Sequence, residues 1–221
     1  RGLCMLLGRH GSYRPRPRVR HCCRRDRNCR AVPFLRLLAA ISSLSPFGIS
    51  IMVPLVPMLS ISLDRSVSDL QYLFSIYVIG LAVSQPLFGL VTARIGRRPM
   101  LLGGCAVVVG SSILLIFVDT LGAMIFLRFM QAVGVGVGTV VARGLIRDHL
   151  PPDEALKAFA LLTAAMGFTP VIAPVVGGYL ASLLGMASVF VVLALLGAGL
   201  LLLCVKSIPH DGPVDLSLIH I

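Results

Sequence analysis

Six runs of about twenty apolar residues, each closed off by charged or turn-forming residues, decide most of what this chain can fold into. A bilayer core about 30 Å thick takes about 20 helical residues to cross. The runs place spans near 34–59, 69–92, 99–118, 121–143, 155–182 and 187–205. A soluble domain of 221 residues would show a helical or strand period instead of such runs. With 57% hydrophobic and only 13% charged residues, too few polar side chains remain to cover a water-soluble globule. The fold class expected is therefore all-α: a polytopic membrane protein of six transmembrane helices.

Local signals mark where the spans start and stop. Ser66-Val67-Ser68-Asp69 is a capping-box pattern that sets a carboxylate over the free amides of a first helical turn. Asp119, Pro151-Pro152-Asp153 and the short Leu184-Gly185-Met186 link mark the other breaks. Cations then choose an orientation. Arg36, Arg94, Arg97, Arg98, Arg143, Arg147, Lys157 and Lys206 flank one side, whereas the opposite loops carry Arg65 with Asp64, Asp69 and Asp119. Positive loops stay in the cytoplasm, so both termini of the six-span unit are expected there.

The net charge of +11 invites a nucleic-acid reading until it is located. Residues 1–30 hold ten Arg against one acid, Asp26, while residues 31–221 hold ten Lys or Arg against eight acids. The body is nearly neutral, and no nucleic-acid partner is expected. The stretch 1–33 mixes Arg, Pro, Cys and His without an apolar period and reads as a disordered tail translated from a wrong start or frame. Its Cys4, Cys22, Cys23 and Cys29, with His10 and His21, do not match paired zinc-ligand spacings, so no metal site follows. Cys105 and Cys204 lie inside apolar runs and read as packing.

Helix breakers concentrate in spans one and four, corresponding places in two sets of three helices. Span one has Pro46, Gly48, Pro54 and Pro57; span four has Gly134, Gly136 and Gly138. Interrupted pairs of this kind often line a substrate path. The alternative is close helix packing, for which Gly134 and Gly138 form a small-xxx-small face.

Three motifs lie on the expected spans and turns. Gly89-Leu-Val-Thr-Ala93-Arg94-Ile-Gly96-Arg97-Arg98 joins spans two and three. Arg128-Phe-Met-Gln131-Ala132 opens span four, and Val140-Val-Ala-Arg143-Gly-Leu-Ile-Arg147-Asp148 closes it. Span five contains Thr169-Pro170-Val-Ile-Ala173-Pro174-Val-Val-Gly177-Gly178. The first resembles the major facilitator loop motif G-x-L-x-D-R-x-G-R-R, with Ala93 where Asp is usual. The second resembles R-x-x-Q-G. The stretch at 140–148 resembles the bicyclomycin and chloramphenicol resistance branch, and that on span five the G-P-x-x-G-G motif of drug-exporting antiporters. The resemblance covers about residues 34 to 206, the first six of that family's twelve helices, built as a 3+3 inverted repeat. It implies that a C-terminal six-helix half is missing. The segment 207–221 then reads as a truncated central loop, its end, 216–221, resembling a translated sequencing adaptor.

By this resemblance the chain is a proton-driven exporter of small amphipathic drugs, with no cofactor and with a central cavity lined by spans one, two, four and five. A metabolite facilitator or exporter with other coupling is the alternative, and a channel or non-transporting subunit a further one. The expected cavity residues are Ser50, Gln85, Arg128, Gln131 and Thr169. Gly89, Arg94, Gly96, Arg97 and Arg98 form the cytoplasmic turn, and Arg143, Arg147 and Asp148 supply gating charge. Pro170, Ala173, Pro174, Gly177 and Gly178 bend and pack span five. Arg128 sits about 10 Å into the membrane by helical rise, facing either a cavity or partner, or snorkelling to headgroups. A nucleotide-driven pump is excluded because neither Lys157 nor Lys206 follows Gly as a P-loop requires. An intramembrane serine protease is excluded because all five histidines fall outside the spans. Ser50 stands where relatives often carry Asp, which leaves this half without a buried carboxylate.

Overall fold

The computed structural model describes the backbone of residues 23–207 and the side chains of residues 35–206 apart from Ala93 and His149. The chain divides into two units at Pro33, Arg1–Pro33 and Phe34–Ile221. The tail 1–22 and the adaptor-like end 216–221 lie outside the described residues. The described elements are all helices: α1 (Cys23–Ser50), α2 (Leu55–Ser62), α3 (Val67–Ile95), α4 (Arg97–Ile116), α5 (Leu121–His149), α6 (Pro152–Leu184) and α7 (Ala187–Ser207). Five of them, α3 to α7, are long and apolar enough to cross a bilayer, and α1 with α2 makes a sixth, bent span.

Helix α1 begins at Cys23, upstream of the expected span start at 34. Positions 24–32 hold four Arg and neither Gly nor Pro, and Arg is a good helix former.

Within span one the helix stops at Ser50, and Leu35–Ser50 meets Leu55–Ser62 at a bend of 49°. The cause is chemical. Pro54 and Pro57 have no N–H to give to the carbonyls four residues back, so the ladder cannot run through. It tightens instead into i−3 bonds, Met52 N to Ile49 O at 3.3 Å, Val53 N to Ser50 O at 3.2 Å and Leu55 N to Met52 O at 3.0 Å.

Span four behaves differently. Helix α5 is continuous from Leu121 to His149, so its glycines do not interrupt it. A glycine weakens a helix but keeps its N–H, whereas proline loses it. The Gly134-Val-Gly136-Val-Gly138 run instead admits three neighbours. A Cβ on Gly134 would lie 2.6 Å from Gly104 O on α4, one on Gly136 would collide with Ser84 on α3, and one on Gly138 would lie 2.9 Å from Ile41 Cγ2 on α1. The packing reading of this run is the one the structure supports.

These approaches make α5 the central post. It packs against α3 and α4, and α4 packs against α7. In its most apolar stretch 67% is buried, against 17% for α6, whose Phe168, Val171, Ile172, Val175 and Tyr179 remain exposed. One core cluster gathers Ile51, Leu55, Leu70, Tyr77, Leu115, Met124 and Phe190; a second gathers Leu38, Leu101, Val141, Leu145, Ile146, Leu162 and Cys204.

Between spans the backbone turns as read. Ser66 caps α3, its hydroxyl accepting from Asp69 N at 3.2 Å. Gly96 takes φ +96° between α3 and α4, a conformation a side chain would strain.

Candidate functional site

Arg128, seven residues into α5, is 1% exposed and is among the largest fully buried side chains. It does not snorkel. Its Nη1 donates to Gln131 Oε1 at 2.8 Å and to Gly48 O of α1 at 3.2 Å. The i, i+3 spacing sets Gln131 beside it on one helix face. Gln131 Nε2 then donates to Ser112 Oγ of α4 at 2.7 Å, and Ser112 Oγ donates to Val108 O at 2.6 Å. One polar chain thus ties α1, α5 and α4 inside an apolar core.

Two rings hold the guanidinium. Arg128 Cζ lies 5.8 Å from the centroid of Tyr77 on α3 and 5.4 Å from that of Phe190 on α7, within cation–π range. Arg128 Nε and Nη2 make no hydrogen bond among the described residues. A buried cation satisfied on one edge and by ring faces is costly to keep for stability alone.

The neighbours are fitted around this group. A Cβ on Gly48 would lie 3.0 Å from Tyr77 Cζ, so glycine there admits the ring and leaves its own carbonyl open to Arg128. Tyr77 donates its hydroxyl to Ser45 O at 3.4 Å. Ala132, where the family motif has Gly, is fully buried, and its methyl faces Gly80: a Cβ on Gly80 would lie 2.8 Å from it. The small residue at this contact is on α3.

The other expected cavity residues are not part of this network. Ser50 and Thr169 are buried and Gln85 is half-buried. Thr169 donates its hydroxyl to Ala165 O at 2.8 Å, and no hydrogen bond among the described residues joins Ser50, Gln85 or Thr169 to Arg128.

On α6, Ala173 and Gly177 are buried while Pro170 is exposed and Pro174 and Gly178 are half-buried. A Cβ on Gly177 would lie 2.5 Å from Ile51 O and 2.8 Å from Ile51 Cγ1, whereas one on Gly178 would meet Pro54 Cβ at an ordinary 3.5 Å. The motif's buried glycine therefore seats α6 on the break in span one.

At the arginine end, Arg97 pairs with Asp148 at the close of α5, and Arg147 Nε lies 3.7 Å from the same carboxylate. Arg98 Nη2 donates to Val205 O in the last turn of α7 at 3.3 Å. Arg94 and Arg143 are exposed, as is Gly89, and Gly96 is buried in the turn. With Ala93 in the usual Asp position, the turn's acidic partner comes from α5.

The model of the Major Facilitator Superfamily matches residues 38–217. The chain belongs to the major facilitator superfamily. It is similar to "Multidrug resistance protein D" of Escherichia coli strain K12, 28% identical over 192 residues that make up 87% of this chain and 48% of the relative. It is also similar to "Multidrug resistance protein MdtL" of Escherichia coli O45:K1, 31% identical over 180 residues, 81% of this chain and 46% of the relative. This major facilitator chain thus spans about half the length of the curated relatives it matches. Its fold is that of a bacterial homologue of the human lysosomal transporter Spinster, in inward-facing and unoccupied form. The TM-score is 0.70 at 16% identity, over 84% of this chain and 44% of that one. The six-span bundle is half of a major facilitator fold in a multi-pass membrane protein.

Tyr77, Ser112 and Phe190 were not expected as site residues. Their roles depend on how α3, α4 and α7 meet α5, and a single tyrosine, serine or phenylalanine in an apolar run carries no local signal of that.

Proposed function

We propose that the chain is the N-terminal half of a transporter that exports small amphipathic drugs in exchange for protons, completed by a second six-helix half. The observation that carries the reading is the buried Arg128–Gln131–Ser112 chain, which ties α5 to α4 and, through Gly48 O, to the helix before the break in span one. An intramembrane cation without a carboxylate partner is a functional-site signal rather than a stability device. The names of the curated relatives support the drug class, and the seat of Gly177 on Ile51 supports movement of α6 with the broken span.

Among the described residues no carboxylate is buried. In this reading the proton-carrying acid belongs to the second half, or Asp119 and Asp148 act at the two ends with Arg128 acting indirectly. Ser50, Gln85 and Thr169 contribute polar groups to the substrate path. The Arg97–Asp148 pair latches the cytoplasmic face in one transport state, and both ends of the half are cytoplasmic in a bacterial inner membrane.

Dye accumulation in everted membrane vesicles tests the reading. The intact transporter should accumulate an amphipathic dye on energisation and lose it on uncoupler addition, and Arg128→Ala should abolish accumulation while inserting normally. Accumulation that survives the uncoupler would favour the alternative, a metabolite exporter or facilitator with other coupling.

A further inference from the structure

Two cysteines on different spans meet inside the bundle, apart from the Arg128 chain. Cys105 of α4 is 7% exposed, Cys204 of α7 is fully buried, and both are free thiols. The register of the two helices brings them together. Gly197 of α7 lies against α4, where a Cβ would sit 3.1 Å from Val109 Cγ2 and 3.3 Å from Val108 Cγ1. Towards the arginine end, Arg98 Nη2 reaches Val205 O at 3.3 Å. These contacts set α4 and α7 antiparallel. Between them the Cys105 thiol is in hydrogen-bonding contact with the Cys204 sulfur.

A buried cysteine among hydrocarbon neighbours is inert packing, but two thiols in contact have a chemistry that neither has alone. A metal ion is the poorer partner for them. Among the described residues no third His, Cys, Asp or Glu gathers with the pair, and a tetrahedral ion asks for four ligands. Sulfurs already in contact also leave no room for an ion between them unless the helices part. A disulfide needs only a close approach of the two Cβ atoms, about 3.8 Å, which the tight seat at Gly197 favours.

We propose that Cys105 and Cys204 are a redox pair that closes to a disulfide, tying α4 to α7, with a lipid-soluble quinone as the oxidant. Two S–H bonds break and one S–S bond forms, while two electrons and two protons pass to the quinone, which leaves as the hydroquinone. Burial selects the reagent. Water-borne, charged oxidants and thiols are kept from these sulfurs, whereas the flanking Val107, Leu202 and Leu203 are exposed and apolar and offer a lipid-soluble molecule its approach. The bond closes a loop of about 100 residues that contains all of α5 and α6, so it restricts the unfolded chain and stabilises the folded one.

A protease site inserted after Leu150, in the link between α5 and α6, tests the pair in the full chain in its membrane. Of the six cysteines, Cys204 alone follows the cut. After treatment with a short-chain quinone, and blocking of free thiols with N-ethylmaleimide in dodecyl sulfate, the two fragments should run together without reductant and part with dithiothreitol. Cys105→Ala and Cys204→Ala, which keep both positions small and apolar, should each give separate fragments. The thermal midpoint of wild type should rise by several degrees on oxidation, and that of neither variant should move. The charged oxidant ferricyanide should link the fragments at least tenfold more slowly than the quinone. Separate fragments after quinone treatment, fragments that stay joined in Cys105→Ala, equal rates with ferricyanide, or an unchanged midpoint in the linked protein would each overturn the proposal. So would fragments joined by mercuric ion but not by quinone, the outcome of a metal site. Linking is read without a transport assay, so its failure leaves the export reading untouched.

Discussion

Exchanging the small residue between α3 and α5 should show that Gly80 and Ala132 form one packing unit. Gly80→Ala alone gains about 1 kcal/mol of helix propensity. It also places a methyl 2.8 Å from Ala132 Cβ, 3.1 Å from Phe129 O and 3.3 Å from Phe129 Cδ2. Overpacking of that kind costs about 1–3 kcal/mol, so the net change is a loss of about 1 kcal/mol. Ala132→Gly alone loses about 1 kcal/mol of propensity and about 0.8 kcal/mol of methyl burial. In the double variant the propensities cancel, the methyl passes from one helix to the other, and the closest contact is relieved. Its stability should lie within about 1 kcal/mol of wild type, a coupling of roughly 2 kcal/mol where separate sites would add. Reversible unfolding in mixed dodecyl sulfate micelles reads all four corners of the cycle. Additive losses, or an Ala132→Gly that stabilises because it restores the family's glycine, would refute the argument.

Four further expectations follow from the site. Arg128→Met should change the thermal midpoint little while abolishing export, since relief from burying a charge offsets the loss of the donor to Gln131 Oε1 and Gly48 O. Gln131→Leu should instead destabilise by about 1–3 kcal/mol, because it strips Arg128 of an acceptor, and equal thermal midpoints for the two variants would contradict this. Gly177→Ala should lower the thermal midpoint clearly while Gly178→Ala leaves it nearly unchanged, because only the first Cβ falls within 2.5 Å of Ile51 O; equal effects would argue against α6 seating on the break. Arg97→Ala and Asp148→Ala should each cost no more than about 1 kcal/mol of stability, as the side chains are 16% and 42% exposed. Each should impair export, and the charge swap Arg97→Asp with Asp148→Arg should recover part of it; a swap no better than either single change would discount the latch.

The spans were legible because lipid leaves a helix few ways to satisfy its backbone, so length and hydropathy alone located them to within a few residues. Ser66 announced the start of α3 and Gly96 its end, each through a requirement local to the backbone. Arg128 and Gln131 were legible as a pair from charge at depth and an i, i+3 spacing. What stayed hidden was the fit between helices. The Gly134-to-Gly138 run carries the same letters whether it breaks a helix or packs one, and only the approach of α1, α3 and α4 decides. Pro54 and Pro57 gave the opposite case, since two N–H groups missing within one turn stop the helix there, although Pro46, Pro86, Pro170 and Pro174 are carried inside continuous helices. Likewise Ala132 looked like a departure from the motif until Gly80 was found opposite it.

Proton movement driven by a drug gradient tests the account most directly. Proteoliposomes of the intact transporter, loaded with a pH-sensitive dye, should show proton flux opposite to an imposed gradient of an amphipathic cation, and Arg128→Met should remove it. Drug movement with no accompanying proton movement, or undiminished coupling in Arg128→Met, would contradict the account.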